Sequence, residues 1–184
     1  MATLVLTVIG DDRAGLVDAL AGPIARHGGS WERSQLARLA GKFAGIVVVS
    51  VPDEHTDHLA GDLAAITAQG LLDVTVAIAG PDEPAGTDRF LQLHLIGQDR
   101  PGIVSEIAGA LARRNVSIEE LETSTSSAPM SGEQLFEATA TLRVPATVDP
   151  DDLRGTLEDI ANELMVDLDV TAPDAAPHAA DERG

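Results

Sequence analysis

The chain has 184 residues, 44% of them hydrophobic and 2% aromatic, with 12 Lys and Arg against 30 Asp and Glu and no cysteine. That length accommodates one large domain or two small ones, and the apolar fraction is that of a folded chain. The formal charge of −18 opposes contact with nucleic-acid phosphates or anionic lipid, because such affinity comes from Lys and Arg displacing counterions. The missing thiols exclude disulfides, thiolate metal sites and thiol nucleophiles.

No apolar run approaches the roughly 20 residues that span a bilayer. The segment from Met1 to Leu6 has no basic region and soon meets Asp11 and Asp12, unlike a secretory signal. A cytoplasmic protein without membrane contact is expected.

In chain order, a first strand runs into Gly10-Asp11-Asp12-Arg13-Ala14-Gly15-Leu16-Val17, where a helix begins, and Gly28 suits the left-handed residue that closes it. Strands follow from Ser30 and from Phe43 to Val51, then a helical stripe of Leu59, Leu63 and Ile66, then a strand carrying Val74, Val76 and Ile78. Residues 81–87 have the Pro and Gly content of a linker. Beyond it the same order recurs: alternating Leu91, Leu93 and Leu95, then Ile103, Val104, Ile107, Ala108 and Leu111 at helical spacing, with Asn115 as the stop. Ser124 to Gln134 reads only as a long hairpin loop. Phe136, Ala138, Ala140, Leu142 and Val144 alternate with polar residues, Leu153, Leu157 and Ile160 form a helical stripe, and Leu168 and Val170 a last strand. Residues 173–184 are an acidic tail expected to be disordered.

This recurrence is a duplication. Residues 10–32 realign onto 97–119 with 11 of 23 positions identical, where unrelated sequence gives roughly one or two. The fold class is therefore α+β: two ferredoxin-like βαββαβ domains in tandem, residues 1–80 and 88–172. Each is expected to be an antiparallel four-stranded sheet with both helices on one face and the first and third strands central.

Function must come from sites. An RNA-recognition domain would need aromatics on the central strands, where Leu93, Thr139 and Ala140 stand instead; a copper chaperone would need paired thiolates; an acylphosphatase would need an anion cradle where the acidic Asp11-Asp12 loop lies. What remains is the repeated turn, Gly10 to Val17 and Gly97-Gln98-Asp99-Arg100-Pro101-Gly102-Ile103-Val104. Pro101 suits a first helical turn, Asp99 can accept backbone N–H bonds there, and Gly15 and Gly102 allow close approach. A helix N-terminus of this kind suits a carboxylate. Equally, the motif is a good strand-to-helix turn with Asp12 and Asp99 as caps and Arg13 and Arg100 paired with surface acids.

Gly-x-Asp-Arg-Pro-Gly-Ile-Val ending a first strand resembles the ACT domain family, and two copies with no further domain resemble its glycine cleavage system transcriptional repressor group. The resemblance implies a regulatory protein whose ligand is a small amino acid, glycine or serine, lying between docked modules. The matching positions are Asp12, Arg13, Ala14, Gly15, Leu16 and Ser30 in copy one and Asp99, Arg100, Pro101, Gly102, Ile103 and Ser117 in copy two. Ser30 and Ser117 replace the family's frequent Asn, Ala14 replaces its Pro, and Trp31 stands where copy two has Ile118. A transcription-factor or enzyme partner and a homo-oligomer are implied as well.

Two other constellations are weaker. His55-x-x-His58 beside Asp57 and Asp62 has a metal-ligand spacing, but copy two has no His there, and solvated imidazoles are the plainer reading. Glu119, Glu120 and Glu122 with Glu32 could be paired carboxylates for acid and base chemistry, yet a strand's wet face also needs polar residues. No nucleophile arrangement repeats or sits in a glycine-bracketed elbow, so neither catalysis nor a cofactor or metal is expected. The alternative to a sensor is a ligand-free interaction and oligomerisation module.

Overall fold

Alternation in the first strand separates Leu4, Leu6 and Val8, all buried, from Thr3, Val5, Thr7 and Ile9 on the opposite face. The computed structural model describes residues 1–80, 87–127 and 133–172, so most of the expected linker and the whole expected tail lie outside the described residues. The chain divides into two compact units, Met1–Asp82 and Glu83–Gly184.

Unit 1 comprises β1 (Ala2–Asp11), α1 (Leu16–Arg26), β2 (Ser30–Leu39), β3 (Lys42–Val51), α2 (Thr56–Ala68) and β4 (Asp73–Ile78). Unit 2 repeats them as β5 (Arg89–Gln98), α3 (Ile103–Ala112), β6 (Ser117–Ser127), β7 (Gln134–Val144), α4 (Pro150–Leu164) and β8 (Val166–Thr171). Strand orders are β2-β3-β1-β4 and β6-β7-β5-β8, with every pair antiparallel. The first and third strands of each copy are central, as right-handed crossovers require.

The helices close one face of each sheet. In unit 1, Leu20, Ile24, Leu59 and Leu63 pack on Leu4, Leu6, Val47 and Val49; in unit 2, Ile107, Leu111, Leu153 and Leu157 pack on Leu93, Leu95, Ala140 and Leu142. Gly28 and Asn115 have φ of 68° and 57°, the left-handed stops expected after α1 and α3.

The hairpin of unit 2 departs from expectation. In unit 1, Ala40 and Gly41, both at positive φ, make a two-residue turn between β2 and β3 whose twist suits the strands. In unit 2, Ser124 to Ser127 are not loop: they continue β6, opposite Glu137, Phe136, Leu135 and Gln134. Once the ribbon's backbone ladder is started, Ser and Thr extend it, and the Gln134 side-chain amide donates to Ser127 Oγ at 3.2 Å. The rest of the expected loop, residues 128–132, lies outside the described residues.

Leu63 is fully buried, so Leu63→Ala should cost about 2–5 kcal/mol. The single tryptophan, Trp31, packs against the same core. Its fluorescence in a urea titration should therefore report the lowered midpoint.

Candidate functional site at the strand-to-helix turn

The turn after β1 and β5 is shaped by its glycines. Gly15 (φ 90°, ψ 0°) and Gly102 (φ 101°, ψ −12°) are the N-caps of α1 and α3, and these angles match the third residue of a type II turn, with Ala14 or Pro101 before it. A Cβ on Gly15 would meet nothing within 4 Å, and one on Gly102 only Glu106 Oε1 at 3.6 Å. These glycines are thus required for their left-handed backbone, which L side chains resist, and not to admit a neighbouring atom. Pro101 correspondingly lies in the turn before α3 rather than in its first helical turn.

Close approach occurs instead at another glycine pair of the repeat, Gly10 and Gly97. A Cβ on Gly10 would lie 2.7 Å from the Leu71 carbonyl, and one on Gly97 2.4 Å from Val166 Cγ1. Each sits against the chain entering the last strand of its unit.

Asp12 and Asp99 do not cap the helices, since neither α1 nor α3 has a side-chain N-cap hydrogen bond. Each backbone N–H instead donates to the hairpin, Asp12 to Gly41 O at 2.9 Å and Asp99 to Gln134 O at 2.8 Å. Among the described residues neither Arg13 nor Arg100 forms an ion pair. Arg13 Nη2 donates to Gly70 O (2.8 Å) and Arg100 Nη2 to Glu163 O (3.2 Å), so each guanidinium ties the turn to the carbonyl end of the second helix of its unit. Leu16 and Ile103 are core residues, each 3% exposed.

The two turns differ in charge. In unit 1 the Asp12 carboxylate is paired with Arg38 Nε, and Asp11 with Lys42 at 2.5 Å. The Lys42 hydrogen bond and charge hold Asp11 below its ordinary value. In unit 2 Thr125 stands at the position of Arg38 and Gln98 at that of Asp11, and among the described residues the Asp99 carboxylate has no hydrogen bond or ion pair. Beside it, α3 opens without a side-chain cap. An apolar slot of about 30 Å³ also opens between α3 and β6, with Val104, Ile118 and Leu121 partly exposed around Leu95 and Phe136; that is room for about one water-sized group. In unit 1, Trp31 replaces Ile118 and packs on the core.

Ser30 and Ser117 are exposed and open β2 and β6, but at the far end of the sheet from the turn. Ser30 is opposite Ser50, which is opposite Thr3, whereas Asp11 is opposite Lys42. Eight residues of strand put the two ends about 27 Å apart. A single unit brings together Asp12 to Leu16, or Asp99 to Ile103, and does not bring Ser30 or Ser117 to them. Sequence reasoning missed Arg38, Lys42, Gly70 and Glu163, all placed by strand register or helix end rather than by any motif of their own.

The histidines of unit 1 are engaged with one another and with Asp62. The His55 Nδ1–H donates to the His27 carbonyl (2.8 Å), His27 Nε2 to Asp62 Oδ2 (3.1 Å), and His58 stacks on His27 with ring centroids 6.2 Å apart. Among the described residues there is no group of three or more His, Asp or Glu placed to hold a metal ion. Hydrogen bonds from His27 and Arg26 hold Asp62 below its ordinary value. In unit 2, Glu119 is salt-bridged to Arg143 at 2.8 Å.

Models of the ACT domain match residues 2–84 and 93–164. The chain belongs to this family, whose domains are ligand-binding regulatory modules, and carries two of them in tandem. No curated protein sequence matches it. A crystal structure of a protein from Galdieria sulphuraria is similar over 94% of this chain and 99% of that one, with 26% identity and a TM-score of 0.83. The crystal structure of a "putative glycine cleavage system transcriptional repressor" covers 92% of this chain and 96% of its own, with 17% identity and a TM-score of 0.69, a likeness of fold. No helix among the described residues is long and apolar enough to cross a membrane.

Two stability tests follow from this geometry. Gly97→Ala should destabilise by about 1–3 kcal/mol through overpacking on Val166, and Gly102→Ala by about 1–2 kcal/mol through its left-handed backbone, both read by chemical denaturation. Because the folded pKa of Asp62 is depressed, its contribution is complete above the ordinary value near 3.8 and is lost as pH falls through the lower folded value. The stability difference between wild type and Asp62→Asn should accordingly be present at neutral pH and vanish in strong acid.

Proposed function

We propose that this chain is an amino-acid-sensing regulatory protein without catalytic activity, whose ligand is held at the turn of unit 2. The observation that carries the reading is the Asp99 carboxylate, without a partner among the described residues, beside the N-terminus of α3, whose N-cap is a glycine. A zwitterion needs an acceptor for its ammonium group and N–H donors for its carboxylate, and this turn offers both. The small apolar slot next to it suits a ligand with little side chain, in keeping with glycine or serine. Completing such a site with a residue like Ser30 or Ser117 requires a second module, because those serines stand at the far end of their own sheets.

The resemblance to a transcriptional repressor supports a role in controlling amino-acid metabolism through a protein partner such as a transcription factor. With a net charge of −18 the chain is suited to a basic partner rather than to DNA itself. Ligand and partner would then be coupled, typically by about 1–3 kcal/mol, and reciprocally. Unit 1 favours the second reading, an interaction module without ligand, since there the Asp12 carboxylate is held by Arg38.

Thermal unfolding against the twenty amino acids tests both. A ligand at 100 times its Kd adds about 2.7 kcal/mol to the folded state, so one or two small amino acids should raise Tm selectively. Asp99→Asn should remove that rise while leaving the unliganded Tm nearly unchanged, and Asp12→Asn should keep it. No rise with any amino acid would leave the interaction module as the reading.

A further inference from the structure

The two units share one fold, so each is a control for the other, and they tie their two helices together with different chemistry. In unit 1, His27 at the C-cap of α1 bonds through Nε2 to Asp62 Oδ2 of α2 at 3.1 Å, and Arg26 Nη2 reaches the same oxygen at 3.1 Å. The matching residues of unit 2 are Arg114 and Thr156, where a guanidinium N–H donates to the threonine hydroxyl. That tie joins a permanently charged group to a neutral one. The tie of unit 1 joins a carboxylate to an imidazole, the side chain whose charge ordinarily changes between about pH 5 and 8.

His27 stands at the centre of a cluster. The His55 and His58 rings have centroids 6.0 and 6.2 Å from its own, the first edge-on and the second stacked, and His55 Nδ1–H donates to the His27 carbonyl at 2.8 Å. The elements packed here bring further charges: Arg26 from α1, Asp53 and Glu54 from the single turn before α2, and Asp57 and Asp62 from α2 itself. Asp53 is occupied by the amino group of Met1 at 2.7 Å. The His27 side chain is 20% exposed, so its pair with Asp62 is shielded from water more than an ordinary surface pair.

A proton on His27 strengthens the tie in two ways. It makes the bond to Asp62 charge-assisted at both ends, and it places a cation at the C-terminal end of α1, where the helix dipole favours one. A second proton, on His55 or His58, would meet the first across the short distance between the rings. The cluster is thus arranged to hold one positive charge among three imidazoles.

We propose that His27 and Asp62 form a proton-operated latch between α1 and α2 of unit 1, which tightens as pH falls from about 8 to about 6 and which unit 2 has replaced by a pair indifferent to pH. The latch is independent of the amino-acid reading, whose ligand is placed at the turn of unit 2. By linkage, a proton bound on folding adds stability that is complete at the acid end of this range and is lost as pH rises.

Trp31 lies in unit 1, so its fluorescence in urea titrations of the full chain reports the unit concerned. The ratio of the unfolding constant of His27→Gln to that of wild type should be about two- to fivefold larger at pH 6 than at pH 8. Taking the ratio removes contributions common to both chains, among them that of the His94–Glu137 pair in unit 2. The coupling between His27→Gln and Asp62→Asn in a double-mutant cycle should grow in the same direction, which a bond of purely structural worth would not do. His27→Arg/Asp62→Thr copies the pair of unit 2, keeps a tie between the helices, and should remove the pH dependence; it also serves as the comparison should His27→Gln fail to fold. A ratio and a coupling that are equal at the two pH values overturn the proposal. So does a ratio that is larger at pH 8, because repulsion among the imidazoles would then outweigh the pair with Asp62.

Discussion

A four-stranded sheet crossed by two right-handed connections places both helices on the same side, and every other feature of this protein depends on that constraint. It requires Leu4, Leu6, Val47 and Val49, and their counterparts in the second copy, to face the helices. Within each unit it leaves the opposite face of the sheet without helix cover. It also sends the chain from the end of the first strand into the first helix through a turn that must reverse direction within a few residues, hence the left-handed glycine at Gly15 and Gly102.

That turn carries structural and functional demands in the same few residues. The arginines bind the carbonyl end of the second helix, Gly10 and Gly97 admit the chain that enters the last strand, and the hydrophobic residues after the glycines enter the core. The groups of the turn not used in this way are the aspartate carboxylate and the helix end. Copy one has neutralised its aspartate with Arg38, and copy two has not. Two turns with nearly the same sequence therefore have different electrostatics, decided by a residue about 25 positions away along the chain and directly across a hairpin.

The duplication has diverged in a complementary way on the uncovered faces. Copy one has replaced polar positions by Val5, Ile46 and Val48, while copy two keeps Gln92, Thr139 and Thr141. The run from Gly45 to Val49, apolar at successive positions, belongs to a strand apolar on both faces, whereas strict alternation from Phe136 to Val144 belongs to one with a wet face. The copy whose turn aspartate is paired with an arginine is thus also the one with Ile46 and Val48 in place of threonines.

Periodicity, the internal repeat and the positions of glycine determined the element order, the antiparallel sheets and the two helix stops at Gly28 and Asn115, because these depend on local backbone preference and on burial of alternate residues. The family membership was legible for the same reason: its motif is local. The partners of that motif were not legible. Asp12 and Asp99 read as helix caps, Arg13 and Arg100 as partners of acids, Pro101 as a first-turn residue, and Ser124 to Ser127 as loop. In each case the tertiary structure decided otherwise, because the positive φ of the following glycine moves the helix start, and strand register brings Arg38, Gln134 and the end of the second helix to the turn. Register and helix-end contacts join residues distant in sequence, and their energies depend on which groups remain to be satisfied once the sheet has closed, which no local pattern encodes.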